Sequence, residues 1–244
     1  MKILVCISNV PDTTSKINFI NNSSKFDLTG VQFIIGPYDD YALARAIELK
    51  ETIPGTTVTV LNIGLVETEP TIRKALAIGA DDASRVNAEP TDSHFVASQI
   101  SFHAKGFDLV LMGRESIDYN SGVVHAIVGE MLGVPSVSPV MKLELDGAKA
   151  KLEREIEGGK ETLEVNLPLV AGCQEPIAEW KIPNMRGIMS ARTKPLKVVE
   201  ATAVEQTAVL KKFELPPAKV AVKMINADNV SELVTLLKTA AKVL

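Results

Sequence analysis

Phe107-Asp108-Leu109-Val110-Leu111-Met112-Gly113, running directly into Arg114-Glu115-Ser116-Ile117-Asp118-Tyr119-Asn120-Ser121-Gly122, decides the fold. Leu109 to Met112 is apolar at every position over a strand's length, the pattern of a strand covered on both faces. The polar, glycine-ended loop then gives way to a helical pattern from Gly122 to Leu132. Two more apolar runs of this kind, Ile3 to Ile7 and Val58 to Ile63, lie upstream. Helical spacing separates them. Leu43, Ala46 and Ile47 mark a helix within Tyr41 to Glu51, and Ile72, Ala75 and Leu76 mark another within Thr71 to Ile78. Thr91-Asp92-Ser93 supplies cap-forming side chains for a third helix, ending at His103. Strands alternating with helices predict an α/β fold with a doubly wound, mostly parallel sheet.

The rhythm breaks in three places. Between Ser8 and Gly36, Lys16 to Ile20 and Val31 to Ile35 flank the polar Asn21-Asn22-Ser23-Ser24-Lys25. This reads as an antiparallel hairpin inserted at the carboxyl edge of the first strand. From Met141 the pattern turns antiparallel. Arg154-Glu155-Ile156-Glu157-Gly158-Gly159-Lys160-Glu161-Thr162-Leu163 predicts a charged hairpin, its turn permitted by the paired glycines. After Val199 the periodicity fades, Pro216-Pro217 interrupts the chain, and a last amphipathic helix opens at Asn229 with Leu233, Leu236, Leu237 and Ala240 on one face. The expected organisation is an α/β nucleotide-binding-like domain over residues 1–199 and an arm over 200–244. The arm is too short to bury much against itself, so it is expected to pack on the main domain or on another chain.

Composition bounds the function. The 244 residues are 46% hydrophobic, enough for a sizeable core. Aromatic residues are only 5% and the net charge is −4, which argues against a nucleic-acid partner. No apolar stretch approaches the ~20 residues of a membrane span. Two isolated cysteines, Cys6 and Cys173, form no CxxC and fit small buried hydrophobes in a reducing, cytoplasmic-type compartment. No metal-ligand spacing and no Ser-His-Asp or Cys-His motif is present, so neither a metal nor a catalytic residue is expected.

In open α/β sheets ligands bind beyond the carboxyl ends of the strands. The sequence places Cys6-Ile7-Ser8, Gly36-Pro37-Tyr38-Asp39-Asp40, Asn62-Ile63-Gly64 and the 114–122 loop there. The last of these leads into a helix whose first free N–H groups, near Ser121 to Val124, suit a phosphate. Neither GxGxxG after the first strand nor GxxxxGK[ST] occurs, which excludes the usual dinucleotide and P-loop signatures. Val123 and Val124 fit the buried face of that helix, and His125 reads as a structural residue in mid-helix. Trp180-Lys181-Ile182-Pro183-Asn184-Met185-Arg186-Gly187-Ile188-Met189 reads as a loop, through Pro183 and Gly187, yet it is rich in large apolar side chains. It is either a docking surface or a plug for the domain's own core.

Several ordered segments resemble the electron-transfer flavoprotein β subunit. They are the Arg154 to Leu163 hairpin with Leu167-Pro168-Leu169-Val170, Ile3-Leu4-Val5-Cys6 with Val10-Pro11-Asp12, and Pro37 to Leu43. Thr71 to Asp81, Gly113 to Asp118 and Gly187 to Arg192 continue the series. The resemblance implies an adenine-nucleotide-binding type of fold and a carrier subunit that makes no bonds of its own. It implies an α-subunit partner that holds most of an FAD, with electrons arriving from flavin-dependent dehydrogenases, as in fatty acid oxidation, and leaving to a quinone reductase or another acceptor. It further implies a nucleotide pocket, for AMP, made of Cys6, Gly36, Pro37, Tyr38, Asp39, Ile63, Asp118, Tyr119, Asn120, Ser121, Gly122, Val123, Val124 and His125. Thr13 and Tyr38 would lie nearest the flavin, and Glu161 would meet the α subunit. The docking segment, near 180–192, would use Ile182, Met185, Ile188 and Met189, with either Ile182 or Met185 as anchor. A stand-alone adenine-nucleotide sensor and an ATP-dependent enzyme of similar fold are the rival expectations.

Overall fold

The computed structural model describes residues 1–219 and 221–244. In chain order the first half holds β1 (Lys2–Cys6), β2 (Asn9–Pro11), β3 (Phe19–Ile20), β4 (Lys25–Phe26), β5 (Phe33–Ile35), α1 (Pro37–Thr52), β6 (Thr57–Ile63), α2 (Glu69–Ile78), β7 (Asp82–Asn87), α3 (Ser93–His103) and β8 (Leu109–Gly113). The second half holds α4 (Val124–Leu132), β9 (Ser136–Asp146), β10 (Lys149–Ile156), β11 (Gly159–Asn166), β12 (Leu169–Cys173), α5 (Met185–Ala191), β13 (Leu196–Glu200) and α6 (Val230–Leu236).

Nine of these strands form one sheet in the order β11-β10-β9-β12-β8-β1-β6-β7-β13. Every pairing from β9 to β13 across the centre is parallel, and only the β9-β10-β11 meander is antiparallel. This is the α/β architecture expected from the apolar runs. Strand period explains the double cover. Ile3, Val5 and Ile7 enter one core with Leu43, Ile47, Ile72 and Leu76 of α1 and α2. Leu4 and Cys6 enter a second core with Ala97 and Ile100 of α3 and Val128 of α4. The order also reverses at the centre. From β1 the chain moves to β6 and β7 on one side, then returns to β8 on the other, so the topological switch point lies between β1 and β8.

Several details differ from the sequence reading. The inserted segment is not one hairpin pairing 16–20 with 31–35. It is two nested antiparallel pairs, β2 with β5 and β3 with β4, because Val10 is a better buried partner for Ile34 than the exposed Ile17. The helix assigned to Gly122 onward begins at Val124, since Asn120 and Gly122 hold positive φ and keep the loop open. β7 and β13 carry charged residues, Arg85 and Lys197, that hid their strand character.

Between β13 and α6 the described residues form no helix or strand, yet the chain is tied down at three points. Gln99 exchanges two hydrogen bonds with the Thr202 backbone, at 2.8 and 2.9 Å. Asp92 caps α3 through Phe95 N, and its other oxygen accepts from Thr207 N and Ala208 N at 2.8 and 2.9 Å. Phe213 stacks on Phe19 with ring centroids 4.7 Å apart. Partial burial raises the Asp92 pKa, but the N–H groups of Phe95, Ala208 and Thr207 outweigh it and hold the carboxyl at about 2. With the folded pKa depressed, this stabilisation is fully present above the ordinary value near 4 and is lost as pH falls through about 2. Asp92→Ala should therefore destabilise the domain by about 1 kcal/mol, the scale of a lost N-cap. It should also raise amide exchange at 202–208; unchanged exchange there would show that Asp92 does not hold the arm.

Candidate functional site

α1 begins with Pro37 in the first helical turn, where its fixed φ fits and its missing N–H costs nothing. That start aims the next side chains at the carboxyl ends of β1 and β8. Asp39 Oδ2 accepts from Ser8 N at 2.8 Å and from Ser8 Oγ, just past β1. Asp39 Oδ1 accepts from Gly113 N at 2.7 Å, at the end of β8. One carboxylate thus spans the switch point. Burial drives the Asp39 pKa up to about 6, against the opposing pull of the Ser8 and Gly113 donors.

Two glycines are required by this closeness. A Cβ at Gly36 would overlap Ser8 Oγ and Asp39 Oδ2. A Cβ at Gly113 would stand 2.7 Å from both Tyr38 Cβ and Asp39 Oδ1. Tyr38 itself is half-buried beneath the Arg114 guanidinium, 5.0 Å above its ring. Arg114 donates to Gln174 Oε1 and Glu115 Oε1, each at 3.0 Å, and Gln174 donates to Glu155 Oε2 at 2.7 Å. A polar chain therefore links the edge at Tyr38 to the β10 end of the hairpin. Glu161 pairs across that hairpin with Arg154 at 2.6 Å.

The remaining residues of the expected pocket fall at the same edge. Cys6 and Ile63 are buried at the ends of β1 and β6, where burial pushes the Cys6 thiol far up. Asp118 to Ser121 form an exposed loop, and a Cβ at Gly122 would meet Arg114 O and Glu115 Oε2 only at ordinary contact distance, 3.9 Å. Two expectations are corrected here. Val123 is exposed as the N-cap of α4, not buried in its face, while Val124 is half-buried against the second core. His125 lies in the first turn of α4, not mid-helix; burial lowers its pKa, and Nδ1 faces Ser136 Oγ at 3.4 Å. Among the described residues no side chain caps α4, so its first N–H groups are unclaimed by a capping residue. Thr13 is exposed in the turn after β2. Among the described residues no group of His, Cys, Asp or Glu side chains is placed to hold a metal.

The 180–192 segment, read as a loop, contains α5, begun by Asn184, whose side chain accepts from Gly187 N. Gly187 packs against the Ala77 carbonyl of α2, where a Cβ would collide. Arg73 donates to Ala191 O and Lys194 O at 2.8 and 2.7 Å, and Lys194 donates back to Leu76 O and Ala80 O at 2.8 and 2.6 Å. The apolar side chains are left outside. Ile182 and Met185 are each 74% exposed and Met189 is 68% exposed, with Ile188 and Trp180 also exposed. They do not plug the domain's own core.

A doubly wound α/β sheet, with a clamped switch point and an apolar segment mounted on one helix, defines the class. The model of the electron transfer flavoprotein domain matches residues 24–204. An electron transfer flavoprotein subunit beta of Bacillus subtilis is 35% identical, with both chains covered in full. One from Syntrophomonas wolfei is 35% identical over 91% of this chain and 88% of its own. The caffeyl-CoA reductase-Etf complex subunit CarD of Acetobacterium woodii is 31% identical over 95% and 94%. The chain belongs to the electron transfer flavoprotein family, among its β subunits. No helix among the described residues is long and apolar enough to cross a membrane.

Asp39→Asn should cost about 1–3 kcal/mol at pH 7, because one amide nitrogen would face a buried N–H donor. The native carboxyl, its pKa raised to about 6, contributes stability that is fully present below its ordinary value near 4 and lost as pH rises through 6. The gap between the two proteins should therefore widen from pH 7 to pH 5 in urea melts. A gap independent of pH would refute the assignment.

Proposed function

We propose that this chain acts with an α-type chain as a heterodimeric electron carrier, helping to hold FAD. It takes electrons from flavin-dependent dehydrogenases and passes them to a quinone reductase or another acceptor. It makes no bonds of its own. The observation that carries this reading is the exposed apolar surface of Met185, Ile188 and Met189 on a helix bolted to α2, continued by Ile182 just before it. A rigid surface with adaptable methionines suits one carrier that meets several partners. The rival readings, a free-standing sensor or an ATP-dependent enzyme, give that face no use and lack a phosphate-gripping glycine motif.

The edge residues fit a nucleotide. The uncapped start of α4, with Ser121 and Gly122 before it, would receive a phosphate on Val124 to Ala126 N–H groups. AMP is the occupant proposed, with Cys6, Gly36, Pro37, Tyr38, Asp39, Ile63 and Asp118 to His125 around it. Tyr38, steadied by Arg114, and Thr13 would form the wall beside the flavin, which supplies the one- and two-electron chemistry. Glu161 at the hairpin would contact the α chain, and the end of the 200–244 arm, with no buried residue in α6, would pack on it.

Co-expression with an α-type chain should yield a yellow complex whose acid extract contains FAD and AMP. A colourless pair, or none, would overturn the carrier reading, and an extract without AMP would overturn the nucleotide assignment. Ile182→Ala with Met185→Ala should slow electron acceptance roughly tenfold without loss of flavin, the scale of an interface anchor. Unchanged rates would reject the docking role.

A further inference from the structure

Asp39 and Asp40 are neighbours in the first turn of α1, but they look in different directions. Asp39 clamps the ligand edge. Asp40 reaches the other end of the docking segment. Its Oδ2 accepts from Trp180 Nε1 at 3.0 Å, a contact across 140 positions of sequence. The Lys74 ammonium of α2 stands 3.6 Å from the same oxygen and 5.8 Å from the centre of the Trp180 ring. The Asp40 carboxyl is buried although the indole it holds is more than half exposed. Lys181 adds a looser tie to Glu51 of α1 at 3.3 Å.

The docking segment is therefore fixed at two ends by different means. Residues 187–194 are bolted to α2 through Gly187, Arg73 and Lys194. Among the described residues, 180–183 have no such backbone mount, and the indole N–H is their link to a buried charge. Ile182 lies between the two anchors. Truncating Asp40 would leave Trp180 without its acceptor and Lys74 without its counter-charge, while the α2 mount would stay intact.

We propose that Asp40 is a positioning residue for electron transfer: through Trp180 it sets the place of Ile182 and fixes the amino-terminal half of the docking segment. This rests on the reading of 180–192 as a docking surface. A buried acceptor for an otherwise exposed indole has no use in the core, which α1 already completes with Ala42, Leu43, Ala46 and Ile47. Its effect is to hold an exposed ring in one orientation. The consequence is geometric: the helix turn that closes the ligand edge also aims the surface by which a donor would approach.

Trp180 is the one tryptophan in this chain, so the fluorescence of each pair less that of the Trp180→Phe pair reports the segment. The chain paired with its α-type partner is prepared as wild type, Asp40→Ala, Asp40→Asn and Trp180→Phe. Acrylamide quenching of Trp180 should rise in Asp40→Ala and return most of the way in Asp40→Asn, which keeps an acceptor for the indole. With a reduced flavin-dependent dehydrogenase as donor, Asp40→Ala and Trp180→Phe should each raise KM roughly tenfold with kcat unchanged, the scale of one hydrogen bond to a charged group. The double variant should add nothing further, because both changes remove one link. Unchanged quenching in Asp40→Ala, an Asn variant no better than Ala, or a fall in kcat without a rise in KM would each overturn the proposal. Trp180→Phe removes the N–H donor together with part of the ring while leaving Asp40 and Lys74 in place, so its KM decides the matter should Asp40→Ala fold poorly. Should the pair accept electrons from no dehydrogenase, the carrier reading fails, while the quenching still decides whether Asp40 holds the segment.

Discussion

A single carboxylate at the switch point of the sheet holds the ligand edge in shape. β1 and β8 are already neighbours through their ladder, but that ladder stops at Val5 and Leu111. Past it, the two strand ends would diverge and leave the Ser8 and Gly113 N–H groups unpaired. Asp39 accepts from both, and the α1 start that carries it is fixed by Pro37. The cost is a charge placed in a poorly solvated position, visible in its raised pKa. The gain is a fixed crevice bounded by Gly36 and Gly113, where no side chain intrudes between helix and strand. Ligand-binding edges need backbone atoms held open to a ligand, and apolar packing alone supplies no such direction.

The same solution recurs on the α1–α2 face of the sheet, with cations in place of the anion. Helices leave carbonyls unpaired at their carboxyl ends. α2 ends at Ile78, and Lys194 donates to the carbonyls of Leu76 and Ala80 there. Burial pushes the Lys194 ammonium down, yet the helix terminus is the place where a cation is most favoured. Arg73 returns the link from α2 to the backbone of residues 191 and 194. The docking segment thus spends its polar groups on its mount and leaves its apolar ones in solvent. This inverts the usual arrangement of a surface helix, whose apolar stripe faces the core.

What could be read in the sequence follows from how each feature is encoded. β1 and β8 were legible because a short run apolar at every position fits a strand covered on both faces and little else, and β6 because Thr59 and Asn62 are the only breaks in its run from Val58 to Ile63. Asp92 was legible as a cap because capping is local. The hairpin at Gly158-Gly159 was legible through its turn chemistry. β7 was not, because Arg85 is buried with its guanidinium on Gly64 O and Asn87, partners that no periodicity announces. The nested pairing of β2 with β5 depended on which of two apolar segments reached the core. At the site, Tyr38 and Asp39 were placed at the ligand edge by strand order, and their roles there came from resemblance; nothing in their spacing showed that Asp39 is a clamp. Arg114 lay in the loop placed at that edge, but its contact with Gln174 and the Asp40–Trp180 contact were missed altogether. Their partners lie 60 to 140 positions away, and a pair of acidic residues at a helix start has a sufficient local reason to exist.

The arm is the part of the chain least able to account for itself. α6 has seven residues and buries none of them, and helices of that length are marginal in water even with good propensity. Its Asn229 cap supplies one hydrogen bond, and Leu233 and Val234 remain exposed. By contrast, the stretch from Thr202 to Phe213 is held by Gln99, Asp92 and Phe19, all on the chain's own domain. The division is sharp: the first half of the arm has its stabilising contacts at home, and the second half has apolar surface without a partner among the described residues. A helix in that condition gains its stability only from burial of that surface against something else. The home contacts of the first half limit how far it must search, because they deliver it from a fixed exit point where Phe213 meets Phe19 of β3 and the Ser23 carbonyl.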